Sequence, residues 1–213
     1  MTGLSTLLSK AITKKVAKEI IPEASKKTQR SNTTPSYVKA KELLNDKEKI
    51  LDYGAGKGLG AKEIKADTFE PYAENYKPDF SKSSDIPTES YKNITSLNVL
   101  NVLPKTERKK AVLEIARILK PKGSAIISTR GDDVLKTKGG IKGDEPMSVV
   151  LDDGRFQKGF IPKELVEEIK NILGNDFIVE SVSGIGKAAV KITKRKVGGM
   201  IMRNDNYNTQ RAI

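Results

Sequence analysis

Cysteine is absent from the 213 residues, which excludes a disulfide framework, a thiolate metal site and a covalent cysteine nucleophile. Histidine is absent as well. The usual catalytic base and the commonest transition-metal ligand are therefore missing, so acid–base chemistry must come from carboxylates, Lys, Tyr, amides or water. Metallo-hydrolase and Ser-His-Asp mechanisms are ruled out on that ground. Nor is there an apolar run of about 18 residues, and charges come too early and too often at the N-terminus for a signal peptide. A soluble, cytoplasmic protein is expected.

What is present is polar but foldable: 37% hydrophobic and 31% charged residues, in a length that suits one domain with extensions. The net charge of +12 is unevenly spread, with +5 in residues 1–34, +6 in residues 187–213 and only +1 between them. Basic ends on a near-neutral body point to DNA or RNA as candidate partners, through Lys10, Lys14, Lys15, Lys18 and the KRK cluster at 194–196. Leu4, Leu7, Leu8, Ala11 and Ile12 share one face of a basic amphipathic helix, which could equally dock on its own domain or meet a membrane surface or protein partner. Residues 1–35 are thus a basic helix and linker, 36–198 the folded domain, and 199–213 a polar tail.

Within the domain, Tyr37, Val38, Ala40, Leu43 and Leu44 make a helical stripe that ends at Asn45-Asp46. A short buried strand closes on Ile50 and Leu51, glycines at 54, 56, 58 and 60 form a turn, and ADTFEP reads as a second strand. Residues 92–103 are β-rich, a helix spans about 106–119, KPKG turns the chain, and another strand covers about 124–129. Residues 131–160, rich in Gly and Asp, read as an insertion that closes over the site as a mobile lid. A helix with Pro162 in its first turn and Gly174 past its end precedes a closing hairpin. Alternating strands and helices predict a doubly wound α/β Rossmann-like sheet, mostly parallel, with an antiparallel edge.

In such a sheet the ligand sits at the carboxyl ends of the strands. A P-loop needs Lys followed by Ser or Thr, but Lys57 is followed by Gly58. A dinucleotide fingerprint beginning at Gly54 would need glycine where Leu59 stands, although Gly56 to Ala61 fits the looser form. Asp52, just before the turn, would repel a pyrophosphate but attract an ammonium group. Glu70 lies 18 positions later, where a carboxylate accepts ribose hydroxyl hydrogen bonds. A cationic amino-acid end joined to a ribose describes S-adenosylmethionine.

LDYGAGKG, FEP, the asparagine-containing β-run and ILKPKGSAIIS resemble the class I S-adenosylmethionine-dependent methyltransferases. Over residues 50–170, FEPY, NVLNVLP, EIARILKPKG and GRFQKGFIPKELVEEI are similar to methyltransferases associated with DNA phosphorothioation loci and to related phage-type proteins. The resemblance implies Asp52, Gly54, Ala55 and Gly56 around the methionine part of the cofactor and Glu70 on the ribose. It implies Pro71 and Tyr72 near the adenine, Asp85 and Ile86 at its edge, and Asn98 on the cofactor side. Asn101 falls to the substrate side, with Arg155, Gln157 and Lys158 as candidate substrate-facing groups; Asn101, Gln157 and Lys158 are the catalytic candidates.

Methyl transfer needs no strong base, so the absence of His and Cys is compatible with it. Cytosine C5 methylation through a thiolate is excluded, and NVLP stands where base-amino methyltransferases carry their [DNS]-P-P-[YFW] motif. An N or O acceptor is expected, on nucleic acid or on a small molecule, the further alternative being a cofactor-binding module without transfer.

Overall fold

In the computed structural model the described residues are 35–45 and 47–196, together with Ile20. The amphipathic helix expected at residues 4–18, most of the linker, and the 199–213 tail lie outside them. A helix α1 (Pro35–Glu42) leads into strand β1 (Ile50–Tyr53), helix α2 (Leu59–Ile64) and strand β2 (Asp67–Phe69). Strand β3 (Tyr91–Leu97), helix α3 (Lys105–Ile118) and strand β4 (Leu119–Thr129) follow. An inserted sheet of β5 (Ile141–Lys142), β6 (Ser148–Val150) and β7 (Phe156–Lys158) precedes helix α4 (Pro162–Leu173) and the hairpin β8 (Phe177–Ser181) and β9 (Ala188–Lys194).

The main sheet has the order β2-β1-β3-β4-β9-β8. β1 pairs in parallel with β2 and β3, and β3 with β4, while β9 runs antiparallel to both β4 and β8. This is the expected doubly wound arrangement, and each face has its own core. Leu51, Ile94, Ala125 and Ile127 meet Ala111, Val112, Ile115, Leu165 and Ile169 of α3 and α4 on one side. Ile50, Leu97 and Ile126 meet Ala40 of α1, Leu44 and Ile64 of α2 on the other. In α3 the buried positions 108, 111, 112, 115 and 118 fall on one helical stripe, and in α4 Pro162 stands in the first turn and Gly174 caps the end at φ 65°.

Two expectations are corrected here. The KPKG segment does not separate helix from strand: β4 begins at Leu119, and the segment is an irregularity in the β3–β4 pairing with Lys122 at φ 62°. Residues 131–160 are not a free flap. Val134, Phe156 and Phe160 are fully buried, and Phe160 belongs to the main core. The Arg108 guanidinium, itself completely buried, donates from Nε to Glu168 of α4 at 2.7 Å, from Nη2 to Glu145 of the insertion at 2.5 Å, and from Nη1 to the Leu103 carbonyl at 2.8 Å. Burial works against its charge, but the two carboxylates more than offset this. The insertion is thereby bolted to α3 and α4.

One basic end also has a structural role. Lys194 donates to Glu89 and to the carbonyls of Ala116 and Leu119, tying the sheet to the end of α3 rather than facing solvent as a phosphate contact.

Candidate functional site

Leaving β1, the chain turns through Gly54, Gly56 and Gly58 at φ 82°, 58° and 71°. At Gly54 the space is closed as well, since a Cβ would stand 2.5 Å from Cγ2 of Val99. The Gly54 and Ala55 amides both donate to the Phe69 carbonyl at the end of β2, at 2.9 and 3.1 Å. Glu70, the next residue, accepts the Gly56 amide on Oε2 at 2.7 Å and the Tyr72 amide on Oε1 at 3.0 Å. Each carboxylate oxygen keeps a lone pair for a further donor. Burial pushes the Glu70 pKa up, and the two backbone bonds pull it back in part.

The segment after Glu70 is fixed to β2. Phe80 forms a parallel bridge with Phe69, its amide donating to Thr68 and its carbonyl accepting from Glu70. Asp79 accepts both the amide and the hydroxyl of Thr68 at 2.8 Å. Farther on, Arg117 of α3 donates to the carbonyls of Ser83 and Ile86.

Between these elements lies a cavity of about 590 Å³. Gly54, Ala55, Gly56, Glu70, Pro71, Tyr72 and Asn98 all line it, so seven of the ten cofactor positions expected from sequence come together. The other three do not line it. Asp85 is exposed and Ile86 is fully buried in the main core; the wall residue of that turn is Ser83. Counting along the loop from the sequence could not resolve a two-residue offset set by the Arg117 bonds.

Asp52 is completely buried behind the turn. Thr95 donates to its Oδ1 at 2.8 Å, while Oδ2 makes no full hydrogen bond. Burial raises its pKa to about 7; the hydroxyls of Thr95 and Tyr37 act in the opposite direction, and the charge of Glu70 adds to the rise. Tyr37 does line the cavity. Its ring lies directly on Gly60, where a Cβ would fall 2.1 Å from Cζ. A methyl at that position must displace the ring, so Gly60→Ala is expected to destabilise the fold by about 1–3 kcal/mol, as overpacking does. Urea unfolding checks this, and an unchanged midpoint would refute the packing. In the sequence Tyr37 belongs to a helical stripe, and no local motif marks it as a site residue.

β3 ends at Leu97, so Asn98 and Asn101 are not related by strand alternation. Asn98 sits at φ 61°, donates its amide to Ser128 and faces the cavity. Asn101 lies in a 3₁₀ turn, buried with Oδ1 unpaired, and is not on the cavity wall. Gln157 and Lys158 are farther removed in role. Gln157 accepts from Arg130, and Lys158 is buried between Glu164, the Pro146 carbonyl and the Phe160 ring. Arg155 pairs with Asp153. None of these three lines the cavity: β7, which carries Gln157 and Lys158, anchors the insertion, and Arg155 stands just before it. Other parts of the wall, missed in sequence, come from Tyr53, Lys57, Leu59, Phe69, Leu97, Val99, Val102, Leu103 and one face of α3, including Glu107, Lys110, Leu113 and Glu114.

No family model matches the chain, and no curated protein matches it in sequence. Solved structures do match it. A Burkholderia thailandensis 1,6-didemethyltoxoflavin-N1-methyltransferase with bound 1,6-didemethyltoxoflavin and S-adenosylhomocysteine is 15% identical, with TM-score 0.52 over 76% of this chain and 79% of its own. The fold is that of the class I methyltransferases. A Thermotoga maritima SAM-dependent methyltransferase, described as a possible histamine N-methyltransferase, shares it at 16% identity and TM-score 0.52, over 76% of this chain and 88% of its own. A Pyrococcus horikoshii protein reaches TM-score 0.55 at 15% identity, over 76% and 90% of the two chains.

Proposed function

We propose that the protein is an S-adenosylmethionine-dependent methyltransferase whose cofactor occupies the cavity between the glycine turn and Glu70. One observation carries the reading: a buried carboxylate with free lone pairs and a glycine turn at positive φ wall the same 590 Å³ space, at the strand ends where this fold takes its ligand. The donor set fits the group. Glu70 would accept the ribose hydroxyls, the bare backbone at Gly54 and Gly56 would admit the amino-acid part closely, and Pro71, Tyr72 and Ser83 would flank the adenine. When bound, the cofactor supplies a methyl group on a sulfonium, an already activated leaving group.

The chain's own contribution is then positioning. Glu70 holds the ribose, Asn98 faces the reacting end, and Val99, Val102 and Leu103 exclude water from it. Residues 131–160 contribute nothing to the wall of this cavity. A small-molecule acceptor suits this geometry best, because the wall beyond the cofactor is largely apolar, with Val99, Val102, Leu103 and Leu113, and its Glu107 and Glu114 are already paired with Lys110 and Arg117. The structural relative with bound 1,6-didemethyltoxoflavin acts on such a compound. A DNA or RNA acceptor rests on the basic ends, that is on Lys10, Lys14, Lys15 and Lys18 outside the described residues and on the KRK cluster at 194–196, of which Lys194 is held by Glu89 and two carbonyls; the narrower resemblance to phosphorothioation-associated enzymes rests on sequence motifs alone.

Glu70→Ala is expected to weaken S-adenosylhomocysteine binding by about 1–3 kcal/mol, the loss of charge-assisted hydrogen bonds to the ribose. Calorimetry measures it, with NADH as the ligand that should not bind. Incubation with methyl-labelled S-adenosylmethionine and fractionated small-molecule, protein and nucleic-acid extracts then locates the label. Tight NADH binding without S-adenosylhomocysteine binding would refute the reading, and cofactor binding without label transfer would leave only a binding module.

A further inference from the structure

The charge best suited to meet the cofactor's ammonium is on Asp52, yet Asp52 has no surface in the cavity. Three groups from three elements act on its carboxyl: Thr95 of β3 by hydrogen bond, Glu70 beyond β2 by like charge, and Tyr37 of α1 through its hydroxyl. Of the two hydroxyls, that of Tyr37 belongs to a residue on the cavity wall. A phenol has one proton to donate and lone pairs to accept with. Resting on the cofactor reading above, we propose that Tyr37 binds the cofactor's ammonium, donating its own proton to Asp52 while its oxygen accepts from the ammonium. The buried negative charge then reaches the ligand through one polarised hydroxyl. The ring has no freedom to withdraw toward α2, because it already rests on Gly60.

Charge on Asp52 has a direct consequence for affinity. With a pKa of about 7, the carboxyl is neutral below that pH and ceases to polarise Tyr37. Binding of the ammonium should therefore strengthen as pH rises through 7, whereas binding of adenosine, which lacks the amino-acid end, should not.

The experiment is calorimetry with S-adenosylhomocysteine and with adenosine, at about pH 6 and pH 8, on the full chain and on Tyr37→Phe. At pH 8 the variant should bind S-adenosylhomocysteine about tenfold more weakly and adenosine unchanged, and its pH response should flatten. Equal S-adenosylhomocysteine affinity in the two proteins, or equal loss for both ligands, overturns the role of Tyr37. Should the variant not fold, the unmodified protein still decides: the same pH response for both ligands overturns the proposal. If the unmodified protein binds neither ligand, the cofactor reading itself fails.

Discussion

At pH 8, Asp52→Asn should stabilise the ligand-free fold rather than weaken it. The ordinary carboxyl value is 3.8, and in the folded protein burial raises it to about 7. An acid with a raised folded pKa favours folding fully below its unfolded value and loses that contribution as pH rises through the folded one. Between about pH 4 and pH 7 the fold therefore loses stability progressively, because Asp52 ionises freely in the unfolded chain while burial holds it protonated in the fold, by up to about 4 kcal/mol for a shift of this size. Asparagine has nearly the same shape, can still accept from Thr95 and never ionises. Urea unfolding at pH 5 and pH 8 should show the unmodified protein losing stability over this interval and the variant losing much less, with Glu70 contributing a remainder of the same sign. The variant should at the same time lose affinity for S-adenosylhomocysteine, because the charge behind Tyr37 is gone. A variant less stable than the unmodified protein at pH 8 would contradict the burial of an ionised group.

Removal of Arg108 should act in the opposite direction and more broadly. Arg108→Leu leaves Glu145 and Glu168 facing each other without their cation and the Leu103 carbonyl without its donor. Deleting one partner of a buried ion pair costs about 3–5 kcal/mol, mostly through the charges left behind. A reduction of that size in unfolding free energy is expected. New protease cleavage should appear within residues 131–160, since the bolt between insertion and α3 is lost. Restoring neutrality with Glu145→Gln and Glu168→Gln in the same chain should recover part of the loss. A single-variant effect below about 1 kcal/mol would show that the guanidinium does not hold the insertion.

Much of this architecture was legible in the residues. Period and turn chemistry placed β1, the glycine turn, α3, α4 and the final hairpin, because each is carried by local patterns: a buried run, positive-φ glycines, a stripe of apolar residues, proline and glycine at helix ends. Residues within one short stretch of chain, such as Gly54, Ala55, Gly56, Glu70 and Tyr72, therefore fell together on the cavity wall. Legibility failed where position depends on a partner distant in sequence. Ser83 replaces Asp85 at the wall because Arg117 holds that turn. Lys158 looked free to meet a substrate, but Glu164 and Phe160 enclose it. Tyr37 entered as a packing residue, since nothing around it in the chain shows that it borders both Asp52 and the cavity.

The bridge between Phe80 and Phe69 has an effect beyond the cavity. Among the described residues β2 is the last strand on its side of the sheet, and an open strand invites edge-to-edge addition by another chain, the first step of aggregation. Here the Phe80 amide and carbonyl already occupy the groups of Thr68 and Glu70 that an intruding strand would need. The carbonyl of Phe80 that blocks the edge also holds the backbone of Glu70. An intruder could pair with β2 only by stripping away the segment that seats Glu70, so solubility and ligand binding would be lost together.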